Sequence, residues 1–237
     1  MNRVFTKFAQ RDSIARALMN DLLLAKEDVE VYRQTMLSLG NQLAACLVAE
    51  LNKISSENVC VICTVEDADF LARGVIQGLS SASPRYSIAM MCMWNDRIKA
   101  NGVSVSPVLR AYEEKFDKHN AIYVVVKSII SGACVVKTNI TRALSSALPE
   151  KVFVLSPVML SGAEDRLSRE FPSEISEKFS FVHFATDDTK NGDEVLPGIG
   201  GSVYQLLGLG DGKHKNTYVP KIVKERRRTV RNLVEAQ

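Results

Sequence analysis

The sequence predicts a single α/β domain: a mostly parallel sheet covered by helices on both faces. Three observations predict it. Five short, strongly β-forming runs, at residues 59–64, 86–93, 121–126, 152–155 and 181–185, are apolar nearly throughout, as strands buried on both faces must be. Helical periodicities at 68–79, 133–147 and 163–171 separate them, and strands that alternate with helices imply parallel pairing. The 237-residue length and the low Pro and Gly content fit one core without an interdomain linker, and no internal repeat is present.

Ahead of the first strand, Ile14, Leu18, Leu22 and Leu23, then Val31, Met36, Leu39, Leu43, Leu47 and Leu51, recur at helical spacing. They give a helical pair over 13–53, broken near residues 26–28. The stretch 95–117 is polar, contains Gly102 and Pro107, and reads as a mobile flap. A domain over 1–212 is followed by a basic, helical tail over 213–237.

With 46% apolar and 24% charged residues the composition is that of an ordinary water-soluble domain. The longest apolar runs, 121–126 and 152–160, are far shorter than the roughly 20 residues that span a bilayer, so no membrane partner is expected. Residues 1–10 lack the apolar stretch of a secretory signal, which places the chain in the cytoplasm. Five cysteines are scattered through apolar segments, which suits reduced, buried thiols. Cys60 and Cys63 have CxxC spacing, but three residues apart on a strand they point to opposite faces, so neither a metal site nor a disulfide is predicted.

The net charge of +3 is unevenly placed. Residues 213–231 are dense in Lys and Arg with only Glu225 against them, so the rest of the chain is net acidic. Such a tail could hold nucleic acid or an acidic partner, or could be a terminal helix that packs Ile222, Val223, Val230, Leu233 and Val234 on the body. Absence of an aromatic among the charges from Pro220 onward favours packing.

In an open parallel sheet, ligands bind beyond the carboxyl ends of the strands, where backbone N–H groups at helix N-termini face anions. That rule selects residues 65–69, 127–133, 156–164 and 187–201. The second of these carries the plainest signal: the strand ending at Val126 runs through Lys127 and Ser128 into a Ser131-Gly132-Ala133 turn and then a helix, which suits a phosphate cradle. A structural left-handed turn at Gly132 would explain the same pattern.

The C-terminal third adds a longer pattern. His183 and Phe184 lie in a strand that leads to Asp187-Asp188, Gly192 and Pro197-Gly198-Ile199-Gly200-Gly201. This order resembles the uracil phosphoribosyltransferase family of type I phosphoribosyltransferases: a strand, an acidic turn and a base-covering Pro-Gly-x-Gly hood. Phe5-Thr6-Lys7 and Arg11-Asp12 are similar to that family's opening, and the match covers roughly residues 6–208. The resemblance implies a C-terminal hood, a homodimer, and phosphoribosyl pyrophosphate or a nucleotide as ligand, held by Lys127, Ser128, Ser131, Gly132 and Ala133 and by Gly198, Ile199, Gly200 and Gly201.

The departures fall on the family's working residues. Val126 and Lys127 stand where the family carries the acidic residue that holds the ribose hydroxyls. The pyrophosphate loop, which normally presents an arginine, reads Thr64-Val65-Glu66-Asp67-Ala68-Asp69. Carboxylates in the place of a dianion cost several kcal/mol if they remain ionised in a partly buried site. In the hood, Gly201 replaces an aspartate and Tyr204-Gln205 replaces Asp-Arg.

Two functions follow. The first is a diverged phosphoribosyltransferase-like protein that no longer salvages uracil and serves as a ligand-sensing or effector subunit with protein partners; diverged members of the superfamily occur in bacterial defence systems, retrons among them. The alternative is a repurposed enzyme acting at an N-glycosidic bond, with Glu66, Asp67, Asp69 and Asp187 as its carboxylates. For those acidic residues the plainer role is helix capping or turn formation. A third reading, an active transferase whose Lys127 recruits donor phosphates, ranks below both.

Overall fold

The computed structural model describes residues 2–96, 98–100, 103–145, 147–210 and 216–235. In chain order the elements are β1 (Arg3–Phe5), α1 (Lys7–Gln10), α2 (Ser13–Leu24), α3 (Val29–Leu51), β2 (Asn58–Thr64), α4 (Arg73–Ala82), β3 (Ser87–Asn95), β4 (Ile98–Ala100), β5 (Val103–Val105), β6 (Val108–Glu113), β7 (Ile122–Val126) and β8 (Ile129–Ile130). Then come α5 (Cys134–Leu144), β9 (Lys151–Leu160), α6 (Ala163–Ser168), α7 (Ser173–Ser176), β10 (Phe179–Asp187), β11 (Thr189–Asn191), β12 (Glu194–Leu196), α8 (Val203–Leu206) and α9 (Lys221–Glu235).

The main sheet runs β1-β10-β9-β7-β2-β3-β6, with β8 beside the end of β9. Its five inner strands are parallel, and β1 and β6 close the two edges in antiparallel sense. The predicted α/β class and all five predicted strands are present. Each inner strand alternates between two cores: Val59, Val61 and Cys63 face the layer of α2, α3 and α4, while Cys60 and Ile62 face α5 and α6. The two thiols of the CxxC segment therefore diverge, as strand geometry requires.

Caps set the helical pair. Asp12 accepts from the Ile14 and Ala15 amides at 2.9 and 3.0 Å, and Asp28 from Glu30 and Val31 at 3.0 and 3.1 Å. The break predicted at 26–28 is a 3₁₀ turn, Ala25–Glu27, that delivers the second cap. Helices α3 and α4 then cross backbone to backbone at Gly40 and Gly74, where an added Cβ would lie 2.2 Å from the Leu71 carbonyl oxygen and 2.1 Å from that of Leu37.

One expectation changes. The supposed flap supplies β6, which pairs with β3 from Met91↔Glu113 to Asn95↔Val108, and a β4–β5 hairpin. An edge strand half open to water needs few apolar residues, so its composition reads as loop. Arg97, Asn101 and Gly102 lie outside the described residues. The basic tail is a docked helix as far as it is described: Ile222 and Val223 are buried, Arg226 pairs with Glu114 at 2.7 Å and Arg73 with Glu225 at 2.8 Å. Residues 211–215 and the side chains from Val230 onward are outside the described residues.

No helix among the described residues is long and apolar enough to cross a membrane.

Candidate functional site

The carboxyl ends of β2, β3 and β7 open into a cleft of about 240 Å³. It is lined on one side by Lys127, Ile129, Ser131 and Gly132 with the first turn of α5, on another by Asn95 and Ser106, and it is roofed by Asp193 and Tyr204 of the C-terminal hood. This is where the topology places a ligand: parallel strands diverge there and a helix N-terminus points inward. Helix α5 starts at Ala133 without a side-chain cap, and its first-turn residues Val135 and Val136 face the cleft. First-turn amides have no partner within their own helix, so this end attracts an anion. Gly132 is not among the residues with positive φ, and an added Cβ there would meet nothing within 4 Å. Neither a left-handed turn nor crowding therefore requires glycine at this position.

On the floor, Lys127 bridges two carboxylates. Its Nζ donates to Asp67 Oδ2 at 2.7 Å and to Glu66 Oε1 at 3.1 Å. Asp67 is fully buried and also accepts from the Thr64 hydroxyl at 2.7 Å and the Ser128 amide at 3.0 Å. Glu66 accepts from the Tyr204 hydroxyl at 2.7 Å, so the hood is tied to the floor. Burial pushes the Glu66 carboxyl up, but Lys127 and the Tyr204 hydrogen bond outweigh it and hold the carboxyl below its ordinary value. Burial likewise works against the Lys127 ammonium, and Asp67 and Glu66 more than reverse it, leaving its pKa raised. The Tyr204 hydroxyl is held well above the usual range, by burial first and then by Glu66. All three are locked in one charge state at neutral pH.

The structure divides the sequence-predicted residues into two sets. Glu66, Lys127, Ser131 and Gly132 converge on the cleft. Asp67 supports Lys127 from beneath, and Ser128 is buried with its hydroxyl unpartnered. Ala133 lines a neighbouring groove with Lys137 and Arg166. Asp69 points away: it accepts from the Lys221 and Ile222 amides at 2.8 Å each, from the Tyr218 hydroxyl and from Arg73, so it caps α9. Asp187 is fully buried in a two-bond pair with Arg3 at 2.8 and 2.7 Å, and accepts from the Gly198 amide at 2.8 Å. Carboxylates saturated in this way hold elements together and face no ligand. The hood backbone is engaged too, with the Gly198 carbonyl taken by Arg3, that of Ile199 by Tyr32, and the Gly200 amide by Pro197. Gly201 has a φ of +141°, which glycine alone tolerates easily.

Sequence reasoning leaves Asn95 and Ser106 unmarked: Asn95 ends β3, Ser106 precedes β6, and no local motif singles out either. Asp193 falls in the 187–201 stretch and Tyr204 at the altered hood position, but neither is assigned a role from the sequence. Trp94 belongs to the core: it is 1% exposed, donates to the Tyr218 carbonyl at 2.8 Å and stacks under Arg110.

No protein-family model and no curated protein matches the sequence. Among solved structures, the AQ2163 protein from Aquifex aeolicus superposes with a TM-score of 0.63 at 14% identity, covering 85% of this chain and 97% of that one. The likeness is one of fold. Hypoxanthine phosphoribosyltransferases from Trypanosoma cruzi and Staphylococcus aureus overlap less, with TM-scores of 0.43 and 0.42 at 9% and 14% identity, covering 66% and 63% of this chain and 74% and 73% of theirs.

Proposed function

We propose that this protein is a diverged phosphoribosyltransferase-like protein that binds a singly phosphorylated small molecule in the cleft and works as a ligand-sensing or effector subunit, without performing uracil salvage. The bridging of Lys127 between Glu66 and Asp67 carries this reading. A site that consumes phosphoribosyl pyrophosphate must neutralise a diphosphate. Here the ammonium on the cleft floor is already shared by two carboxylates, and Asp193 adds a further acidic side chain to the lining. A diphosphate on this floor would meet the ionised Glu66, which Lys127 and Tyr204 hold in its charged form, and like charges at close range repel. A single phosphate at the α5 N-terminus avoids them and meets amides instead.

Tyr204 gives the sensing part a physical basis. It reaches Glu66 from the hood, so a ligand that enters between them shifts a C-terminal element on which a partner subunit could report. A homodimer and a further protein partner, in a bacterial defence assembly such as a retron, belong to this proposal through the sequence resemblance. Contact with nucleic acid through α9 has less support, because Arg226 pairs with Glu114 and Arg227 lies over the Tyr112 ring on the body of the protein.

The test is direct. Purified protein is incubated with phosphoribosyl pyrophosphate and uracil, and separately with nucleotides and NAD, and products are separated by chromatography. We expect no nucleotide synthesis, together with saturable binding of a monophosphate by calorimetry. Synthesis of uridine monophosphate would overturn the reading.

The N-glycosidic cleavage reading keeps one cleft-facing carboxylate of its four, Glu66, held ionised by Lys127 beside an open cavity. An ionised carboxylate can stabilise an oxocarbenium-like centre. Release of free base that disappears in Glu66→Gln would favour it over the sensing role.

A further inference from the structure

One wall of the cleft holds two polar atoms with no partner. The Asn95 amide nitrogen donates to the Ser106 carbonyl at 3.1 Å and to Asn139 Oδ1 at 2.9 Å. A backbone carbonyl can only accept, so this bond fixes the orientation of the amide and leaves Asn95 Oδ1 as the free end. That oxygen has no hydrogen-bond partner, although Asn95 is only 8% exposed; the Ser106 hydroxyl has none either, at 2% exposure. Both residues line the cleft. A buried polar group left unsatisfied is costly, because it has given up its hydrogen bonds to water. Two such groups at one opening, with Asn95 already held by two bonds of its own, mark a place where a ligand supplies the missing partners.

Their chemistry restricts that ligand. Asn95 Oδ1 accepts only, so the ligand must present an N–H or O–H donor there. The Ser106 hydroxyl both donates and accepts, and it can serve an acceptor beside that donor. A donor next to an acceptor on one rigid edge is the pattern of a nucleobase. Ile129 and Val136, apolar residues of the same cleft, provide surface for the faces of a ring.

We infer that Asn95 and Ser106 form a base-reading subsite, so that the cleft takes a nucleoside monophosphate with its phosphate at the α5 N-terminus and its base edge on Asn95 Oδ1 and Ser106 Oγ. The subsite rests on the proposed monophosphate site and adds what the same cleft reads besides the phosphate. It is separate from the Gly198–Gly200 hood, where the sequence resemblance would place a base and where the backbone is engaged internally.

The full chain is titrated by calorimetry with adenosine 5′-monophosphate and with ribose 5-phosphate, as wild type, Ser106→Ala and Asn95→Ala. Wild type should bind the nucleotide at least tenfold tighter than the sugar phosphate. Each variant should lose most of that preference while its affinity for ribose 5-phosphate stays within twofold of wild type. Ser106→Ala should also melt no lower than wild type in the absence of ligand, because it removes a polar atom that has no partner; this guards against reading a folding defect as lost recognition. Equal affinity for the two ligands, or an equal loss of both in the variants, would overturn the subsite while leaving the phosphate site standing. Failure of both ligands to bind wild type would remove the phosphate site and the subsite with it.

Discussion

Replacing Lys127 with methionine tests the central electrostatic feature of the molecule. Methionine keeps much of the buried stem but removes the charge between Asp67 at 2.7 Å and Glu66 at 3.1 Å. At an effective dielectric near 20, each contact is about 5–6 kcal/mol of gross attraction. Desolvation of the ammonium, whose side chain is 12% exposed, offsets much of this, and removing one partner of a buried ion pair typically costs about 3–5 kcal/mol. The loss should depend on pH. In wild type the Glu66 carboxyl is held below its ordinary value, so its contribution is present at neutral pH and fades only as acid protonates it. In Lys127→Met its pKa rises, it takes up a proton more readily, and the gap between the proteins narrows on going from pH 7 to pH 5. Urea unfolding followed by Trp94 fluorescence measures both, and the double variant Glu66→Gln/Lys127→Met should recover part of the stability at pH 7. A loss below about 1 kcal/mol at pH 7, or a gap that widens in acid, would refute the account.

Three further outcomes are expected from the contacts of Asp69, Gly74 and His183. Asp69→Ala should cost about 2–3 kcal/mol, because it removes the α9 cap and strands the Tyr218 hydroxyl; trypsin should then cut α9 before the body unfolds. Gly74→Ala should lower the melting temperature by roughly 6–12 °C, since its methyl group would lie 2.1 Å from the Leu37 carbonyl oxygen and about 3 kcal/mol of overpacking follows. Burial depresses the His183 pKa to about 4, and its Nδ1 has no hydrogen bond although the Glu164 carboxylate is 3.3 Å away. The unfolded chain therefore binds the extra proton first, and stability should fall between about pH 6.5 and pH 4, by at most about 3 kcal/mol. Attraction from Glu164 makes that an upper bound. His183→Gln should flatten the slope in that window when unfolding is measured across pH.

Much of this architecture is legible in the residues themselves. Runs of apolar residues with strand propensity gave the five inner strands because parallel strands are wetted on neither face. The helical pair over 13–53 showed in its apolar spacing because a helix that packs one face on the core must repeat apolar residues every three to four positions. What escaped are the parts whose pattern is weak alone: β1, three residues long, exists by pairing with β10, and β6 by pairing with β3. The site divides in the same way. The chain by itself determined that Glu66, Lys127, Ser131 and Gly132 belong to loops at the carboxyl ends of strands, because strand and helix order fixes where those loops emerge. Only the tertiary structure decided that Lys127 neutralises Glu66 and Asp67, that Asp69 and Asp187 serve α9 and the hood, and that Tyr204, Asn95 and Ser106 complete the cleft. Those pairings join residues 61 and 138 positions apart in the chain, and side-chain charge in a sequence carries no record of which opposite charge it will meet when the core closes.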